Sequence, residues 1–267
     1  MSKVTNPASG SSDLAGRPYW DQVWKRASTR PAGRFSYFHY CFARVLLAQV
    51  RLGMSACEVG CADSVWIPFL VERGVTVVGI DYSDYGLSRL QENLRQRGLA
   101  AELIKGDLFD PTLVRGKRFD VVFSLGLVEH FDDGVVAAKA LANLVKPGGT
   151  LITLVPNLVG PWGAIQKQLD RSVYDVHLRY RPETLDDVHV RAGMQPIEHA
   201  RYFGGFGPLV MNAPRVADAY PRLHRAVVAI VWVVQQVAAW TMGVALGRRT
   251  ESRGLSSHIL GIYRQRE

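Results

Sequence analysis

The stretch ACEVGCADSVW, Ala56 to Trp66, decides the fold. A short apolar run, Ser55–Val59, meets a turn at Gly60 and passes into a helix-like segment, Val65–Arg73, stopped by Gly74. This has the layout of a nucleotide-binding strand, turn and helix, with one glycine where such turns carry two or three. In the dinucleotide pattern G-x-G-x-x-G the three positions fall on Gly60, Ala62 and Val65, so two of three fail. Glu58 would set a negative charge beside a pyrophosphate, and no G-K-[ST] follows the turn. A ligand with no phosphate and a positive end tolerates such a turn. Gly60 allows the tight bend, the small Ala62 leaves room for an amino-acid moiety, and Glu58 either orients the turn or attracts the cationic end.

Outward from this turn, strand-like and helix-like stretches alternate. Val75–Ile80 is an apolar strand ending at Asp81, and Ser83–Gly98 a helix with Ser83 as N-cap. Ala101–Ile104 is a third strand, followed by Gly106 and Asp107, and Phe119–Ser124 a fourth. Val135–Val145 is a helix stopped by Lys146-Pro147-Gly148-Gly149, and Thr150–Val155 a fifth strand. Pro182–Ala192 reads as a helix, and Pro196–Phe203 and Ser257–Arg264 as two late strands. Near-continuous apolar strands separated by helices predict a doubly wound, Rossmann-like α/β domain with a mostly parallel sheet. Ligands in such sheets lie beyond the carboxyl ends of the strands, where Glu58, Asp81, Asp107 and Ser124 all fall. Asp81 can accept from both hydroxyls of a ribose, and Asp107 from an adenine amino group or else cap a local helix. S-adenosylmethionine, with an ammonium and a sulfonium, suits this constellation.

The chain here resembles the class I S-adenosylmethionine-dependent methyltransferases of the small-molecule type. The matching stretches are EVGCADS (58–64), VVGIDYS (77–83), KGDLF (105–109), FDVVFSLGLVEHF (119–131) and LVKPGGTLI (144–152), in the family's order and spacing. Ala62 and Ser64 depart from it where glycine is common. The resemblance implies a seven-stranded sheet with one antiparallel strand, Ser257–Arg264, inserted beside the fifth. It implies Glu58, Gly60, Asp81 and Asp107 as cofactor contacts, Tyr82 and Leu108 flanking the adenine, and Leu125 along the cofactor; Ala62 is expected beside them from the turn itself. Asp120 is expected to brace the strand entrance and touch no ligand.

On the acceptor side, His130 in LVEHF sits past the fourth strand, near where a methyl group would emerge. It reads either as a general base, with Glu129 beside it, or as a residue that shapes the loop. His177 is the second candidate base. Similar enzymes of quinone biosynthesis hold a divalent metal with Glu-x-x-Glu-His; here Gly126 takes the first place, so no metal is expected. The helix with Trp20 and Trp24 resembles the lid of small-molecule methyltransferases, and the two rings share one face. They either close over the site or staple onto the core. Tyr37, His39 and Tyr40 add aromatic groups nearby, and Tyr174, His177 and Tyr180 are offered toward the same mouth.

The remaining organisation follows. Residues 1–16 read as a disordered leader without a secretory signal, 17–53 as a helical lid, and 54–267 as the main domain. Insertions are expected at 158–181, a substrate cap, and at 204–255, carrying an apolar helix. Three cysteines, Cys41, Cys57 and Cys61, form no C-x-x-C pair, which fits a reducing, cytoplasmic setting. The net charge is +8, and +6 of it falls in 201–267, with nine Arg against three acids. No basic block or nucleic-acid signature accompanies it, so a small-molecule acceptor is expected rather than nucleic acid. Between Ala226 and Gly247, 22 residues carry no charge. That length can span a bilayer, but it lies between two strands of one sheet, and Gln235-Gln236 sits at its centre. A buried or dimer-forming helix, a peripheral contact with the inner face of the membrane, and the wall of a lipophilic pocket all remain open. A macromolecule methyltransferase and a non-catalytic cofactor-binding scaffold are the rival functions.

Overall fold

The structure, a computed structural model, describes residues 4–5, 12–26, 36–110, 112–207 and 213–267. At the N-terminus β1 (Val4–Thr5) pairs antiparallel with β2 (Ser12–Asp13), and Asp13 bridges to Phe131. The expectation of a disordered leader is therefore corrected for residues 12–16. Leu14 N donates to His130 O (2.7 Å) and Ala15 N to Asp13 Oδ1 (2.9 Å), which fastens this stretch to the domain. Helices α1 (Arg17–Arg26) and α2 (Tyr37–Gln49) follow.

The main sheet contains β3 (Ser55–Val59), β4 (Thr76–Asp81), β5 (Glu102–Lys105), β6 (Phe119–Leu125), β7 (Val145–Pro156), β8 (Met194–Phe206) and β9 (Ser256–Gln265). Their order is β5-β4-β3-β6-β7-β9-β8, and β9 runs antiparallel to both neighbours. The seven-stranded sheet with its one reversed strand beside the fifth is as expected. Strand order reverses between β3 and β6, which opens a crevice at their carboxyl ends.

Successive side chains of a strand point to opposite faces, and the core divides accordingly. Val122, Leu151 and Val155 face one layer with Leu141 and Leu185 of α5 (Gly134–Ala142) and α8 (Pro182–Arg191). Val121, Phe123, Ile152 and Leu154 face the other, with Phe42 and Leu46 of α2, Ile67 and Leu70 of α3 (Trp66–Val71), and Leu90 and Leu94 of α4 (Asp84–Gln96). Both faces are covered, which is why these strands read as apolar throughout. Asp120 braces the strand entrance as expected, accepting from Ser55 N (2.8 Å), Ser55 Oγ (2.7 Å) and Lys146 Nζ (2.8 Å).

The insertion after β7 folds as α6 (Pro161–Leu169) and α7 (Arg171–Asp175). The one between β8 and β9 folds as α9 (Pro214–Ala219) and α10 (Pro221–Leu246), a helix of 26 residues. Only Ala239 of α10 is buried. The reading of a buried core helix is corrected: most of this helix's apolar surface faces outward.

Candidate active site

A cavity of about 830 Å³ lies at the carboxyl ends of β3, β4 and β6. At one end the turn after β3 is built on Gly60, whose φ of +75° favours glycine. Gly60 N and Cys61 N both donate to Ile80 O, at 2.8 and 3.2 Å, which presses the turn against β4. Asp81 at the end of β4 secures it from the other side: Oδ2 accepts from Ala62 N (2.9 Å) and Oδ1 from Ser83 N (2.8 Å). Burial outweighs these bonds and leaves the Asp81 carboxyl above its ordinary range. Each oxygen keeps a lone pair for a ligand hydroxyl.

Glu58 is buried and accepts from Ser64 Oγ. Ser64 Oγ in turn accepts from Trp66 N (2.9 Å) and Ile67 N (3.2 Å) at the start of α3. Glu58 thus orients the turn through Ser64, and burial holds its carboxyl up at about 8. Asp107 lines the cavity and also accepts from Phe109 N (2.9 Å), so it caps a turn rather than a helix. Tyr82, Leu108 and Leu125 line the wall as expected. The Tyr82 hydroxyl donates to Asp13 Oδ2 (3.0 Å), tying the N-terminal stretch over this end.

At the other end stand Glu129, His130 and His177. A single turn of 3₁₀ helix, Val128–His130, follows β6 and buries both Glu129 and His130. His130 Nδ1 lies 2.9 Å from Val176 O, and His177 Nδ1 lies 2.6 Å from Val173 O. A carbonyl only accepts, so each ring carries its proton on Nδ1 and leaves Nε2 as an acceptor. Burial, reinforced by His177, drives the His130 pKa well below its ordinary value, and burial lowers His177 too. The two rings are 4.3 Å apart. Glu129 Oε1 lies 3.9 Å from His130 Nε2, and neither Glu129 oxygen has a hydrogen-bond partner among the described residues. Burial lifts that carboxyl to about 8, so it is mostly protonated at neutral pH. Donor atoms of Glu129, His130 and His177 lie within 4.8 Å of one another, a set that could hold a divalent ion. The argument from Gly126 overlooked His177, which the fold brings in as a third donor.

Trp20 and Trp24 stack (centroids 6.3 Å apart) and line the cavity, with Trp20 edge-on to His130 at 4.8 Å. Four expected positions fall elsewhere. Ala62 packs under the turn against Gly86, at φ +26°, and its side chain leaves the wall to Cys61 and Asp63. Tyr37 points away toward α10, its ring 5.3 Å from Trp240. Tyr174 lies outside the cavity between Lys167 and Arg179. Tyr180 is buried beside Gly134, off the cavity wall. His39, expected near the site, lines the cavity, as do Phe38, Trp66 and His258, which the sequence reading does not single out. For Phe38 the signal is present, since it follows Tyr37 in one aromatic run.

Residues 57–153 match a family model described as a methyltransferase domain. A ubiquinone biosynthesis O-methyltransferase of Cereibacter sphaeroides is 26% identical over 156 residues, covering 55% of this chain and 62% of that protein. The same-named protein of Saccharophagus degradans is 27% identical over 165 residues, covering 59% and 68%. The chain thus spans less than two thirds of the first relative's length. Among solved structures, a Haemonchus contortus phosphoethanolamine N-methyltransferase 2 in complex with S-adenosyl-L-methionine superposes with a TM-score of 0.57 at 14% identity, covering 95% of this chain and 59% of that one. At that identity the likeness speaks for the fold. The domain match covers the stretch that builds the cavity floor, on a seven-stranded sheet with one reversed strand; residues 57–153 are thus similar to a methyltransferase domain.

Proposed function

We propose that this chain transfers a methyl group from S-adenosylmethionine to a hydroxyl of a small, apolar acceptor. The observation that carries this reading is one continuous cavity with Asp81 and Asp107 at one end and Glu129, His130 and His177 at the other. The residues present fit the cofactor: two strand-end carboxylates supply acceptors for hydroxyl and amino groups, no phosphate-binding pattern is needed, and the Gly60 turn sits beside them. When bound, S-adenosylmethionine supplies an electrophilic methyl on a sulfonium. Trp20, Trp24 and Trp66 supply apolar walls that orient an acceptor and keep water out. His130, neutral with its Nε2 lone pair free of backbone bonds, takes the acceptor proton as the hydroxyl reacts. Val176 O fixes the ring through Nδ1, Glu129 lies 3.9 Å from Nε2, and His177 packs against the ring. The O-methyltransferase relatives support a hydroxyl acceptor over an amine.

A second reading is favoured by the close approach of three donors: Glu129, His130 and His177 would hold a divalent ion, which would supply Lewis-acid activation of the acceptor hydroxyl. Chelator treatment separates the two. Unchanged turnover after EDTA favours the base; loss restored by added Mg²⁺ or Zn²⁺ favours the ion.

Calorimetric titration with S-adenosylmethionine and S-adenosylhomocysteine, wild type beside Asp81→Ala, tests the core of the proposal. Binding is expected in the wild type and is expected to weaken at least about tenfold in the variant, the scale of a lost charge-assisted hydrogen bond. Absence of binding to either ligand by the wild type would overturn the reading.

A further inference from the structure

We infer that the outer face of α10 docks on a bilayer surface that carries anionic headgroups. The helix extends about 39 Å at 1.5 Å per residue. Leu223, Val227, Ile230, Val234, Val237 and Val244 form one exposed stripe along it, with Ile230 64% and Val244 80% accessible. By length and composition α10 with the turn after it is apolar enough to cross a membrane. The fold holds it alongside the domain instead. The strands that flank it, β8 and β9, pair with each other along their length. Tyr37 N donates to Gln236 Oε1 (2.9 Å), and the Tyr37 ring sits where a Cβ at Gly243 would fall. The polar residues at the centre of the helix thus face the protein, and the apolar stripe is turned outward, the arrangement of a helix lying in the membrane interface.

Charge decides what covers the stripe. No acidic residue occurs between Asp218 and Glu251, while Arg222 and Arg225 stand at one end and Arg248 and Arg249 at the other. Arg248 is shared with Glu198 and Glu251; Arg222, Arg225 and Arg249 are exposed. A second copy of this chain laid on the stripe, parallel or antiparallel, brings arginine against arginine at both ends. The positions flanking the stripe, such as Ala226, Val233 and Trp240, offer no opposite charge to set a register. Anionic headgroups complement all of these arginines at once. The contact also bears on the site. Tyr37 faces α10 while the next residues, Phe38 and His39, line the cavity, so a docked helix brings the cavity wall close to the bilayer. Delivery of an apolar acceptor from the lipid phase follows only if the methyl-transfer reading holds; the docking stands without it.

Flotation of the full chain with vesicles tests this directly, using phosphatidylcholine alone and phosphatidylcholine mixed about equally with phosphatidylglycerol. The protein is expected to float with the anionic vesicles and at least about tenfold less with the neutral ones. The pair Ile230→Glu and Val237→Glu, and separately Arg222→Ser with Arg225→Ser and Arg249→Ser, are each expected to reduce flotation about tenfold or more. Calorimetric affinity for S-adenosylmethionine, unchanged in both variants, keeps this result separate from the fate of the methyl-transfer proposal. No flotation of the wild type with either vesicle would overturn the inference. So would equal flotation with both, or a wild-type dimer in light scattering that Ile230→Glu with Val237→Glu converts to monomer.

Discussion

Two buried glutamates, Glu58 beside the Gly60 turn and Glu129 beside His130, line the cavity, and burial raises both carboxyls to about 8. Glu58 is already in use, accepting from Ser64, which in turn caps α3. Glu129 has no hydrogen-bond partner for either oxygen among the described residues. The first end is a finished piece of architecture, closed by local hydrogen bonds before any ligand arrives. The second is left incomplete at a cost in stability, as expected of a place where something else must bind.

The largest effect that would sharpen this contrast is on turnover. His130→Ala is expected to lower kcat about 10²- to 10³-fold while leaving the affinity for S-adenosylmethionine within about twofold, the signature of a base that touches only the acceptor. A comparable loss of cofactor affinity would merge the two ends into one. Next comes stability at the finished end. Ser64→Ala removes the donor to Glu58 and the cap on α3, and is expected to cost about 2 kcal/mol in urea unfolding.

Glu129→Gln carries the opposite sign. The Glu129 carboxyl ionises near its ordinary value in the unfolded chain and resists until about 8 in the folded one. Between those values the native state holds the extra proton, and stability falls as pH rises. Glu129→Gln removes this slope, so its melting temperature is expected to gain on the wild type from pH 5 to pH 8, by about 5 °C at the upper end. A constant difference across that range would break the comparison. The smallest effect lies outside the cavity. Burial works against ionisation of Asp120, but Lys146 and Ser55 hold its pKa down to about 2. Its contribution is present above the ordinary aspartate range and is lost as pH falls toward 2. Asp120 is partly exposed and solvent-screened, so Asp120→Asn is expected to cost within about 1 kcal/mol at neutral pH, as thermal unfolding would show.

The sheet and its ligand-bearing edge were legible because both are local facts of strand ends. An apolar run that stops at Asp81 or Asp107 already says where that carboxylate stands. The acceptor end was legible only in part. Glu129 and His130 follow a strand and could be placed, but His177 arrives from an insertion, 47 residues after His130, whose path no periodicity describes. Aromatic residues misled for a geometric reason. Neighbours on a helix point about 100° apart, so of one aromatic run Tyr37 faces α10 while Phe38 and His39 face the cavity. Ala62 was misplaced because a turn can need a small residue for its own packing, here against Gly86, without offering it to a ligand. For α10, residue types alone could not say which side of the helix the domain would cover.

The stretch Ser12–Arg17 runs along the cavity with a fastening at several points: Asp13 to Tyr82 and to Phe131, Leu14 to the backbone of His130, and Arg17 to Asp84 (2.9 Å). It touches both ends at once, so it acts as a buckle more than a lid. Lifting this stretch away from the cavity takes the opening of every clasp, so on the proposed reading the loss of one is expected to weaken the hold on the cofactor.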